Sequence, residues 1–108
     1  MLDKLLISQL SDDDVDERCG LVLRNEEVIS ITNIAEDPQQ GYRMDMTEVL
    51  PHMEDITGTW HTHPNSSPEL SGADYHGFLG WPKLDHYIVS RLGLRHYRVE
   101  NGAVVKCA

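Results

Sequence analysis

Positive charge is scarce in this chain. Its 108 residues hold 9 Lys and Arg against 18 Asp and Glu, a formal net charge of −9 at pH 7. Phosphate binding needs a basic footprint, so nucleic acid is not expected as a partner. The one local basic cluster, Arg91, Arg95, His96 and Arg98, reads as solvated strand edges and turns. Cysteine is nearly as scarce. Cys19 and Cys107 stand far apart and match no cysteine zinc motif. Cys19 lies in an apolar context and reads as a buried thiol, which suits a reducing compartment. No apolar run approaches membrane-spanning length, and Met1 to Leu10, with Asp3 and Lys4 early, reads as an amphipathic helix rather than a signal peptide. A cytoplasmic protein without a membrane partner is the expectation. The chain also lacks repeats, low-complexity tracts and linkers, so residues 1–108 read as one domain.

The hydrophobic pattern predicts both helices and strands. Leu2, Leu5, Leu6 and Leu10 have helical spacing, and the acidic stretch Ser11 to Asp16 reads as a solvated turn. Cys19 to Leu23 reads as a buried strand, with Val28 to Asn33 as its hairpin partner. Ala35 to Gly41 is loop, Tyr42 to Met46 alternates like a short strand, and Thr47 to Leu50 suggests a brief helix limited by Pro51. Ile56 to His63 is predicted as a strand, and Ser71 as the N-cap of a helix running to about Leu79. Tyr87 to Arg91 is a further strand. Arg95 to Val99 pairs with Ala103 to Lys106 across Glu100-Asn101-Gly102, where Asn-Gly is a hairpin signal. Without a βαβ rhythm, the expected class is α+β, a mixed β-sheet with flanking helices.

The densest chemistry lies in His61-Thr62-His63-Pro64, Ser71 and Asp74. On a strand, His61 and His63 share one face, while Trp60 faces the opposite side and reads as core. Two imidazoles and a carboxylate form an N, N, O donor set that leaves a fourth tetrahedral position open, as catalytic zinc sites do. Each residue also has a plainer reading. Ser71 and Asp74 form an S-x-x-D capping pattern, and capping by Ser71 is compatible with catalysis. Glu17 taken alone is a surface carboxylate in an acidic run. His52, His86 and His96 have no ligand partners at a recognisable spacing, and His76 falls on a different helical face from Asp74. Glu69 is the competing third ligand, in the manner of cupins, but the cupin spacing is shorter and its second motif is missing. The H-x-E plus C-x-x-C deaminase pattern is absent too.

The string H-x-H-P, six residues, S, two residues, D resembles the signature of the JAMM metalloproteases, also called the MPN⁺ or Mov34/PAD-1 group. Glu17-Arg18-Cys19-Gly20-Leu21 resembles the upstream E-x-C-G-hydrophobic segment of that family. The resemblance implies the cytidine-deaminase-like MPN/JAB1 fold and one zinc ion per chain, held by His61, His63 and Asp74. It implies zinc-dependent hydrolysis of a peptide or isopeptide bond, with zinc-bound water as nucleophile. Glu17 is then the general base and acid, and Ser71 the hydrogen-bond donor to the oxygen of the tetrahedral intermediate. The chain is short and similar to compact prokaryotic members and to phage tail-assembly proteins, in which the C-G-L strand and a segment like Tyr42-Arg43-Met44-Asp45 recur. The implied partner is a peptide or protein tail, ubiquitin-like or from a phage tail. Many members of the family lack the ligands and act as scaffolds, so a non-catalytic assembly protein is the alternative.

Overall fold

The computed structural model describes residues 1–107. Among these residues six strands form a single sheet in the order β2-β1-β3-β4-β5-β6. Strand β1 (Cys19–Leu23) is buried along its whole length, as its unbroken apolar run requires of a central strand. It pairs antiparallel with β2 (Val28–Ile31) on one side and β3 (Ile56–His63) on the other. The expected partner strand thus ends two residues early. Asn33 makes only an isolated bridge to Met44, and its side-chain amide instead donates to the carbonyls of Glu17 and Gly41.

Strand β3 pairs in parallel with β4 (Asp85–Ser90). Parallel neighbours need a crossover, and helix α3 (Gly72–Leu79), the third of the helices, lies in the connection. One βαβ unit is therefore present where none was expected, and the class remains α+β. Strand β5 (Gly93–Glu100) then pairs antiparallel with β4 and β6 (Ala103–Lys106). Asn101 and Gly102 both adopt positive φ, 53° and 78°, as a tight Asn-Gly hairpin turn demands.

Helix α1 (Leu2–Ile7) buries Leu6 against Val22, Trp60, Tyr87 and Val89 on one face of the sheet. Leu5 is exposed, so the N-terminal helix is shorter and less embedded than its spacing suggests. The opposite face carries α2 (Met46–Val49), whose Val49 packs on Leu21, Leu23 and Ile31, and α3, whose Phe78 packs on Ile88 and Tyr97. The short strand expected over Tyr42 to Met46 is not formed beyond the Met44 bridge. Asp45 accepts hydrogen bonds from the Thr47 amide (3.0 Å) and hydroxyl (2.7 Å), and that cap starts α2 instead. A 3-10 turn, Leu50–His52, follows through Pro51.

Two close approaches explain small residues. An added Cβ at Gly20 would overlap the Ile29 carbonyl oxygen and lie 2.5 Å from Trp60 Nε1. The missing side chain is the slot through which the buried Trp60 indole donates to that carbonyl at 3.0 Å. Cys19 is fully buried, and burial pushes its thiol up to about 12, so it is an unreactive core thiol; neither cysteine forms a disulfide.

Candidate metal centre

The period of two along β3 directs Thr59, His61 and His63 to the α3 face of the sheet, while Trp60 joins the α1 face. The capping box at the start of α3 brings Asp74 to meet them. Ser71 Oγ accepts the Asp74 amide at 3.1 Å, and the Ser71 amide donates to Asp74 Oδ2 at 3.1 Å. Asp74 Oδ1 lies 3.1 Å from His61 Nε2 and Asp74 Oδ2 lies 3.1 Å from His63 Nε2. The two Nε2 atoms are themselves 3.1 Å apart. Glu17 comes from the segment just before β1, which pairs with β3 so that Cys19 stands opposite His61. Ligand atoms of Glu17, His61 and His63 all lie within 4.8 Å of one another.

The hydrogen-bond partners of the two rings indicate which nitrogens face the cluster with a lone pair. The Ser67 carbonyl accepts from His63 Nδ1 at 2.8 Å, so that nitrogen carries the hydrogen. In the neutral ring His63 Nε2 is then a bare lone pair, aimed at a second nitrogen and a carboxylate oxygen. Lone pairs converging at 3.1 Å repel unless a positive centre lies among them. A proton on His63 Nε2, or on His61 Nε2 facing Asp74 Oδ1, meets that need in the metal-free chain. Burial opposes charge on His63, but its hydrogen bonds to Asp74 and Ser67 and the nearby Glu17 outweigh it and hold its pKa above the ordinary 6.5. For Asp74, burial pushes the carboxyl up, yet the hydrogen bonds from His61 and His63 prevail and hold it well below the usual carboxylate range. His61 is pushed down, chiefly by its complete burial.

A divalent cation meets the same need with the same atoms. Nitrogens and oxygens about 2.0–2.1 Å from a tetrahedral ion stand roughly 3.3 Å apart. The 3.1 Å separations are close to that edge. His61 has no comparable anchor for its other nitrogen. Its Nδ1 is buried without a hydrogen-bond partner, and the ring is oriented by stacking on Tyr42, with centroids 4.3 Å apart. As a candidate ligand, carbonyl-anchored His63 is the better oriented of the two.

Glu17 behaves differently from the solvated carboxylates around it. Burial raises its pKa from 4.5 to about 7, with the positive potential of His63 opposing and the negative charge of Asp74 adding. Ser71 is exposed, and because its oxygen accepts the Asp74 amide, its hydroxyl proton remains free to donate. The competing ligand Glu69 is directed elsewhere, to Arg95 (3.6 Å) and Lys106 (3.9 Å). His76 is exposed. His86 is buried and internally satisfied: Thr59 Oγ1 lies 2.6 Å from its Nδ1, and its Nε2 donates to the Trp81 carbonyl at 3.0 Å.

The basic cluster near the C-terminus is solvated at Arg91 and Arg98, as expected, and is also paired. His96 and Arg98 meet Asp85, and Arg95 meets Glu69. The Arg91 guanidinium donates to the carbonyls of Pro64, Ser11, Asp12 and Asp14. It thereby ties the segment leading to Glu17 to the loop after His63. Sequence reasoning missed this staple because carbonyl acceptors leave no residue-type signature. It also missed the Tyr42 stack, since nothing in an alternating segment points to a histidine nineteen residues later.

Residues 2–100 match the family model described as prokaryotic homologs of the JAB domain. The chain belongs to the prokaryotic JAB family. The kinship read from Glu17 to Leu21 and from His61 to Asp74 therefore holds at family level, and the six-stranded mixed sheet is consistent with the JAB/MPN fold. No curated protein matches the chain. No helix among the described residues is long and apolar enough to cross a membrane.

Proposed function

We propose that this JAB domain is a zinc-dependent hydrolase of peptide or isopeptide bonds. The observation that carries the reading is the convergence of His61, His63 and Asp74 at 3.1 Å with a half-buried carboxyl, Glu17, beside them. His61 Nε2, His63 Nε2 and an Asp74 oxygen would hold the ion. Zinc held there supplies Lewis acidity, which acidifies water and polarises a carbonyl. The chain's own residues do the rest. Glu17 takes the proton of the attacking water on its carboxylate and returns it to the departing amine. A carboxyl beside the attacking water and partly shielded from solvent is placed to exchange protons with it. Ser71 Oγ–H donates to the carbonyl oxygen as negative charge develops, an interaction typically worth roughly 3–4 kcal/mol of barrier. Asp74 performs two tasks at once, as metal ligand and as the capping carboxylate that fixes Ser71.

A peptide or protein tail is the substrate class this chemistry serves. The test is hydrolysis of peptide and isopeptide conjugates by the zinc-loaded chain and by Glu17→Gln. The variant should keep zinc and lose turnover. Equal turnover by both proteins would remove Glu17 from the mechanism, and none by the loaded wild type on any conjugate would leave the scaffold reading in its place.

A further inference from the structure

The cavity beside the cluster is larger than the chemistry at its end requires. It encloses about 640 Å³ between α2 and α3 on the sheet face. Glu17, His63 and Asp74 close one end, and the other is walled by Leu21, Met44, Val49, Ile56, Phe78 and Leu84. Gln39, Gln40 and Arg43 line the cavity from the loop before α2, and two polar side chains stand on its sheet floor, Thr59 and His86. Both are already satisfied, by each other at 2.6 Å and by the Trp81 carbonyl at 3.0 Å. A ligand there finds no open donor on either and only the lone pairs of the Thr59 hydroxyl as acceptor, so what the floor and the aliphatic wall mainly offer is apolar contact. Met46 and Trp81 also line the cavity and stay 43% and 36% exposed, apolar surface without a partner in the fold. On α3, a Cβ added at Gly77 would meet nothing within 4 Å, so the helix leaves the space open.

Geometry links this half to the reacting end. Thr59 precedes His61 by two residues and His63 by four on one strand face, which is about 7 and 13 Å at roughly 3.3 Å per residue. A peptide held with its carbonyl at the cluster carries side chains one or two residues away over this floor. We infer that the apolar half of the cavity is a side-chain subsite that selects a bulky apolar residue, such as leucine, methionine or phenylalanine, within two residues of the bond to be cut. A tail of glycines would leave the apolar wall wet and gain nothing from it. The position relative to a cut bond rests on the hydrolase reading, but the binding preference does not.

The test is a titration of isotope-labelled, zinc-loaded protein with the capped dipeptides Ac-Gly-Gly-NH₂, Ac-Leu-Gly-NH₂ and Ac-Phe-Gly-NH₂. The resonances to follow are the Trp81 indole N–H and the Gly77 amide. The leucine and phenylalanine peptides should bind about tenfold or more tightly than the glycine peptide and shift both resonances. Gly77→Leu should remove that preference while zinc uptake is unchanged, and Gly77→Ala, the folded control, should retain it. Equal affinities for the three peptides, no shift from any of them, or a preference that survives in Gly77→Leu would each overturn the subsite. Hydrolysis of longer peptides separates the two readings. A preference in binding without turnover keeps the subsite and removes the hydrolase, whereas turnover indifferent to the apolar residue does the reverse.

Discussion

Replacing Glu17 by Gln should flatten the pH dependence of stability in the metal-free chain. The folded-state pKa of Glu17 is raised by burial from 4.5 to about 7. Protonated Glu17 is therefore the form the fold prefers. Its contribution is fully present below about 4.5, and it is lost as pH rises through about 7. That interval converts to at most roughly 3.5 kcal/mol at ~1.4 kcal/mol per pH unit. Glu17 is only partly buried and interacts with His63, so solvent screening reduces the figure to about 1–2 kcal/mol. Gln keeps the shape and the neutral character at every pH. In thermal melts with chelator present, wild type should lose about 5–10 °C relative to Glu17→Gln between pH 5 and pH 8. Glu17 and His63 interact, so the difference between the curves reports Glu17 together with its effect on His63. Parallel melting curves across that range would refute the claim that Glu17 is held in a desolvated site.

Three further outcomes are expected. His63→Ala should abolish the stabilisation that zinc gives the wild type. With free zinc a hundredfold above its dissociation constant, that gain is about 2.7 kcal/mol, and equal melts for the two proteins in excess zinc would count against the site. Ser71→Ala should cut hydrolysis about 10²–10³-fold with zinc still bound and cost about 1 kcal/mol through the lost cap; an unchanged rate at saturating substrate removes Ser71 from the transition state. Gly20→Ala should cost about 3 kcal/mol or more, because its methyl group occupies the path of the Trp60–Ile29 hydrogen bond. A chemical denaturation midpoint matching wild type would contradict that packing.

The parts of this fold that were legible in the sequence are those that local chemistry decides. The Ser71 to Asp74 capping box predicts the start of α3, Asn101-Gly102 predicts the β5–β6 turn, and the apolar run from Cys19 predicts β1. His61 and His63 were placed on one face by alternation alone. What local chemistry does not decide was misread or missed. The parallel pairing of β3 with β4 depends on a crossover, and neither strand's pattern records its partner's direction. The Tyr42 segment alternates like a strand, but the Asp45 cap and the Asn33 side chain take its backbone partners. Glu17 looks like one more acidic surface residue because its burial comes from β1 pairing beside β3, a contact between segments over forty residues apart. The positively charged cluster is solvated as read, but its partners, Asp85, Glu69 and a set of carbonyls, lie on other elements and leave no local signal.

The most direct test of the metal centre is elemental analysis of protein purified without chelators or metal-affinity tags. About one zinc per chain, lost in a His61→Ala, His63→Ala double variant, is the result this account predicts. Protein that contains no zinc and takes none up when it is supplied would contradict it.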